Sequence, residues 1–136
     1  MNRIDRGLKK QLEKNKNDKL FMVFKSVILA LIISLICIII YAIVLSITPV
    51  SDNTMSLITQ VISMISILAA GIYCGKNIGV KGWLYGLSVG IIYIIILIPI
   101  SMLLGETLTF DKYLLARLLM AATVGLIGGI IGVNIL

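Results

Sequence analysis

Four stretches of roughly 20 apolar residues, divided by short polar connections, restrict this chain more than any other feature of its sequence. They run over about 26–47, 55–75, 83–104 and 113–135. Without water, a backbone must satisfy its own polar groups within the segment, which predicts that each stretch is an α-helix crossing a bilayer. Composition agrees, because 60% of the residues are hydrophobic and only 13% charged, well outside the range of soluble domains. The connections TPVSDNT, KNIGVKG and GETLTFDK are all short, so successive helices are expected to run antiparallel. The predicted fold class is all-α: a polytopic membrane protein with four transmembrane helices in an antiparallel bundle.

Charge sets the expected orientation. Residues 1 to 25 carry Arg3, Arg6, Lys9, Lys10, Lys14, Lys16, Lys19 and Lys25 against Asp5, Glu13 and Asp18. By the positive-inside rule this segment and the connection holding Lys76 and Lys81 belong to the cytoplasm, and Asp52, Glu106, Asp111 and Lys112 to the outside. Both termini are then inside, in a bacterial cytoplasmic membrane. The first apolar run and its charged leader are too long for a secretory signal, so it is read as a retained helix. The chain divides into a basic cytoplasmic segment, 1–19, and a membrane domain, 20–136. In the basic segment Ile4, Leu8 and Leu12 recur at four-residue spacing. This fits a short amphipathic helix on anionic headgroups, each Lys or Arg adding about 1 kcal/mol of attraction. It equally fits a disordered tail that enforces topology. No aromatic platform or recognisable module accompanies the charge, which argues against nucleic acid as a partner.

In lipid, helices associate through small residues that let backbones approach and through hydroxyls that bond across the interface. The first span places Ser26, Ala30, Ser34, Cys37 and Tyr41 within one arc, and the second aligns Ser56, Thr59, Ser63, Ser66, Ala70 and Tyr73. Glycine carries the rest of the pattern: Gly71 and Gly75 in the second span, Gly82, Gly86 and Gly90 in the third, Gly125, Gly128, Gly129 and Gly132 in the fourth. Ten of the 12 glycines fall in the half nearer the Lys76–Lys81 connection. The expectation is a bundle pinched at that end, Gly71 and Gly75 facing Gly82, Gly86 and Gly90 across the turn. AAGIYCGKNIGV and AATVGLIGGIIGV also echo one another, as a duplicated hairpin or two convergent glycine-rich helices would. Pro99 is expected to kink the third span.

Little conventional chemistry is present. GIYCGKN resembles a phosphate-binding loop only loosely, one residue short between its glycines and with Asn77 in place of the metal-binding hydroxyl. Histidine is absent, and Cys37 and Cys74 lie in different spans, which predicts neither a metal site nor a cofactor. No Asp or Glu falls within the four apolar runs, which removes the usual coupling group of a proton- or cation-driven transporter. No nucleophile has a base in plausible reach, so an enzyme is not expected. The one charge inside a span is Arg117, about 6 Å beyond Tyr113 along a helix, with Gln60 at a comparable depth. Gln60, Arg117, Asp111 and Glu106 form a candidate outer polar cluster with two readings. Arg117 either snorkels to an acidic connection partner, or helps to receive a protein partner or an anionic ligand.

The segments GKNIGVKGWLYGLSVGIIY, 75 to 93, and GLIGGIIGVN, 125 to 134, resemble the YrzE-like family of small four-span membrane proteins of Gram-positive bacteria. The likeness lies in Gly75, Lys76, Lys81, Gly82, Trp83, Gly86, Gly90 and Tyr93, and in Gly128, Gly129, Ile130, Ile131, Gly132, Val133 and Asn134. It covers the last three spans; the first matches only in hydrophobicity. The family is uncharacterised, and its genes lie near those of accessory translocation components, so the resemblance implies an export-related role. Trp83 beside Lys81 fits an interfacial anchor; Asn134 fits either a contact to the Lys76–Lys81 loop or a headgroup contact. Together these features predict a non-enzymatic accessory or scaffolding subunit that packs through its glycine faces with itself or a larger membrane complex. The alternative is a small oligomeric transporter or pore.

Overall fold

A computed structural model describes residues 2–105, 107 and 112–135, with Asn2 described by its backbone alone. It contains four α-helices: α1 (Asn2–Ile47), α2 (Asp52–Ile78), α3 (Gly82–Leu103) and α4 (Lys112–Asn134). Each is long and apolar enough to cross a membrane.

The helices extend past the apolar stretches wherever good helix formers or a cap allow it. α1 continues through residues 19 and 20 without interruption and spans 46 residues, about 69 Å against a hydrocarbon core of about 30 Å. Its first third is rich in Lys, Arg and Leu, which lose little side-chain freedom in a helix. Asp5, Lys9 and Glu13 follow one another at four-residue spacing, a supportive arrangement of alternating charge. The basic segment is thus helical, with residues 3 to 18 exposed along their whole length. α2 begins after Ser51, whose hydroxyl meets that of Thr54 at 2.9 Å. It ends at Gly79, whose positive φ of 71° and N–H bond to the Gly75 carbonyl make a left-handed cap that suits glycine. α3 passes through Pro99 and stops at Leu103.

Burial is concentrated toward the end of the bundle that carries the α2–α3 turn. The buried positions are Val23 to Ser34 on α1, Ser66 to Gly75 on α2, Gly82 to Ile94 on α3 and Ala121 to Gly132 on α4, each at helical spacing. Tyr93, Ile67, Val27 and Val89 are the largest fully enclosed side chains. On α1, Ser26, Ala30 and Ser34 are buried and Cys37 and Tyr41 half-buried, so this arc faces protein. The opposite half of α1 and the first two turns of α4 are mostly exposed.

Among the described residues the serine and threonine hydroxyls bond mainly within their own helix rather than across helices as expected, although Ser26 of α1 also meets the Cys74 thiol of α2. Ser26, Thr59, Ser63, Ser66 and Ser88 each donate to the carbonyl four residues earlier, and Ser34 and Thr123 to the one three earlier, all at 2.8–3.0 Å. In an apolar interior the nearest acceptor is a carbonyl of the same helix, and it is always in reach. Their value at the contact faces is small volume.

Candidate functional site

Two regions gather the polar and glycine positions singled out in the sequence, one at each end of the bundle.

At the α2–α3 turn, all nine glycines of the predicted packing set are buried. Their partners differ from the expected ones. Gly71 and Gly75 do not face Gly82, Gly86 and Gly90; both sets face α4. A Cβ built on Gly71 would stand 2.9 Å from the Gly125 carbonyl oxygen and 3.3 Å from the Gly128 Cα, and one on Gly75 would collide with the Gly129 carbonyl. From the other side, a Cβ on Gly82 would stand 2.6 Å from that same Gly129 oxygen, and those on Gly86 and Gly90 would strike the carbonyls of Gly125 and Ala121. The α4 glycines form two rows: Gly125 and Gly129 point at α3, whereas Gly128 and Gly132 point at Leu68, Gly71, Ile72 and Lys76 of α2. Rows offset by three residues lie about 60° apart around a helix, which is how one helix meets two neighbours. With backbones this close, Cα–H groups face carbonyl oxygens, a weak but favourable contact.

These glycine faces are consequently enclosed by the chain's own helices. A surface for another protein has to be made of other residues, which corrects the expectation that the glycines receive a partner.

Beside the seam, the turn is tight. Gly79 and Lys81 both hold left-handed backbone conformations, Lys81 at φ 52° and ψ 40°. Lys76, Lys81 and Trp83 are exposed around it, and Asn134 is exposed at the last residue of α4. The backbone nitrogen of Lys76 lies 2.9 Å from where a Cβ on Gly132 would sit, so glycine brings α4 close to the start of this turn. Asn77 donates to the Tyr73 carbonyl at 2.7 Å.

At the opposite end, α2 and α4 part to leave a cleft of about 420 Å³ lined by Ser56, Gln60, Tyr113, Ala116, Arg117 and Met120. A small hollow of about 20 Å³ continues toward the core between Gln60, Ser63, Met64, Ile67, Ile94, Arg117 and Ala121. Gln60 and Arg117, predicted as neighbours, line both. The Gln60 amide donates to the Met120 sulfur at 3.2 Å, a weak acceptor. Glu106 and Asp111, the acidic members of the predicted cluster, lie outside the described residues. The sequence pattern places Ser56 in the packing stripe of the second span rather than in a cleft, and it singles out none of Tyr113, Ala116 and Met120 as lining residues. Their signal was geometric: Ser56 precedes Gln60 by one turn, and Tyr113, Ala116, Arg117 and Met120 share one side of α4 at spacings of three and four.

Chemically, the cleft offers a fixed cation, an amide, two hydroxyls and an apolar floor. Among the described residues no group of three His, Cys, Asp or Glu stands close enough to hold a metal ion.

A family described as "Protein of unknown function (DUF3792)" matches residues 19–132, most of the chain. No curated protein and no solved structure matches it.

Proposed function

We propose, from the premise that the chain belongs to the DUF3792 family of proteins of unknown function, that it is a non-enzymatic accessory or scaffolding subunit of a membrane assembly. Four helices alternate in direction through the bacterial cytoplasmic membrane, with both termini and the Lys76–Lys81 turn in the cytoplasm. The assembly it serves is export-related.

The observation that carries this reading is the glycine-to-glycine contact of α4 with both α2 and α3. Backbones in van der Waals contact leave no passage between those helices, which disfavours conduction through a single copy. The hydroxyls are directed at their own helix carbonyls, which disfavours nucleophilic catalysis. What the chain presents outward is a long, lightly covered α1 with Ile36 and Ile43 exposed, suited to lying against another membrane protein.

Photo-reactive residues at Ile36, Ile43 and Ile130, tested one at a time in native membranes, check this. The expected outcome is an adduct of one defined mass with a second protein, formed from the α1 positions, and no solute flux from liposomes holding the purified chain. Adducts only with further copies of the chain, together with flux, would replace the reading with the oligomeric transporter.

A further inference from the structure

We infer that the cleft between α2 and α4 is a binding site for one phospholipid of the adjacent leaflet, its phosphate held by Arg117 and its acyl chains lying along the exposed apolar flank of α4. This goes beyond the accessory role and does not depend on it.

The guanidinium is permanently charged and presents five donors in a planar fork that matches phosphate oxygens. Arg117 sits five residues into α4, about 7.5 Å along its axis, a depth from which its long side chain reaches the headgroup phosphates. The Gln60 amide, the Ser56 hydroxyl and the Tyr113 hydroxyl line the same cleft and can donate to the remaining oxygens. Below them Ser63, Met64, Ile67, Ile94 and Ala121 close around only about 20 Å³, too little for an acyl chain, but the α4 surface beyond Arg117 is exposed and apolar at Leu119 and Met120, a continuation that a free phosphate ion would not use. An amphiphile with an anionic head and a hydrocarbon tail matches this gradient. The competing carboxylates are Asp52, one turn before Ser56, and Glu106 and Asp111 in the α3–α4 connection, where a lipid phosphate would have to exclude them from the Arg117 fork.

The test is native mass spectrometry of the full chain released from detergent doped with phosphatidylglycerol or with the matching uncharged diacylglycerol. The expected result is one phosphatidylglycerol retained per chain and no diacylglycerol. Retention should fall about tenfold or more in R117Q, as the loss of a charged hydrogen-bonding group implies. It should fall similarly in A116W, which fills the cleft and keeps the charge. Equal retention by R117Q and the parent chain would overturn the site, as would equal retention of diacylglycerol. Displacement of the lipid by millimolar inorganic phosphate would assign the site to the free ion instead and overturn the lipid. Should R117Q fail to fold, A116W decides by the same criterion.

Discussion

Gln60 on α2 and Met120 on α4 meet through an amide-to-sulfur hydrogen bond of 3.2 Å, which places these two residues opposite each other above the glycine seam. A Q60C/M120C pair in a chain whose native cysteines are replaced by alanine should therefore form a disulfide under mild oxidation, read as a gel shift reversed by reductant. A Q60C/I130C pair should not, because Ile130 lies ten residues further along α4. Crosslinking of the second pair in preference to the first would contradict the α2–α4 packing.

Gly129 allows no side chain. A Cβ there would strike the Gly82 carbonyl oxygen and stand 2.8 Å from the Gly82 carbon. Backbone cannot rotate aside, so G129A should cost about 1–3 kcal/mol or more in overpacking, measured as reversible unfolding in detergent. Gly7 is the internal comparison, with nothing within 4 Å of its added Cβ. G7A should be neutral or favour the helix by up to about 1 kcal/mol. Equal effects of the two substitutions would refute the seam.

Lys81 is the one non-glycine residue among those described with a positive φ, 52°. Holding an L-residue in that region costs on the order of 1 kcal/mol, and glycine recovers part of it against its own greater freedom when unfolded. K81G should raise stability by about 0.5 kcal/mol in the same unfolding measurement. A clear loss would mean that the lysine side chain contributes more than its backbone conformation takes away.

Tyr93 is fully enclosed, yet its hydroxyl has no hydrogen-bond partner among the described residues. An unpaired hydroxyl in an apolar interior costs on the order of 1 kcal/mol or more. Y93F keeps the ring and removes the orphan, so thermal stability should hold or rise. A marked fall would reveal a partner for that oxygen, such as a bound water.

Orientation is open to direct labelling. In a cysteine-free background, T107C should react with a membrane-impermeant maleimide added to intact cells, whereas K10C and K81C should react only after permeabilisation. The reverse pattern would invert the proposed topology.

Much of the fold was legible because hydropathy and helix length answer to the same bilayer. The second, third and fourth apolar stretches each fall within about three residues of α2, α3 and α4. Their ends differ where polar residues carry a helix outward, as Asp52 to Thr54 do behind Ser51. α1 departs most, because an apolar run ends where charge begins, while a helix rich in Lys, Arg and Leu has no reason to. At the seam, the spacing of Gly125, Gly128, Gly129 and Gly132 announced a small-residue face. It did not say that the face was two rows, since a stripe on one helix carries no information about which neighbour covers it. Gln60 and Arg117 stood out as polar residues at matching depth. Met120 did not, because a methionine in an apolar run is indistinguishable from one that lines a wall until the opposite helix is placed.

The seam also determines how the chain tolerates change. Ordinary cores recover from a bulky substitution when a neighbour is replaced by something smaller, but Gly71, Gly75, Gly86, Gly125 and Gly129 meet glycines that already have nothing to give up. Relief would have to come from whole helices moving apart, and because the two glycine rows of α4 lie only about 60° apart, easing α4 off α2 loosens its contact with α3 as well. Second-site revertants of a seam mutation should therefore be scarce within the seam and arise, where they arise, in the residues that set how the helices lean.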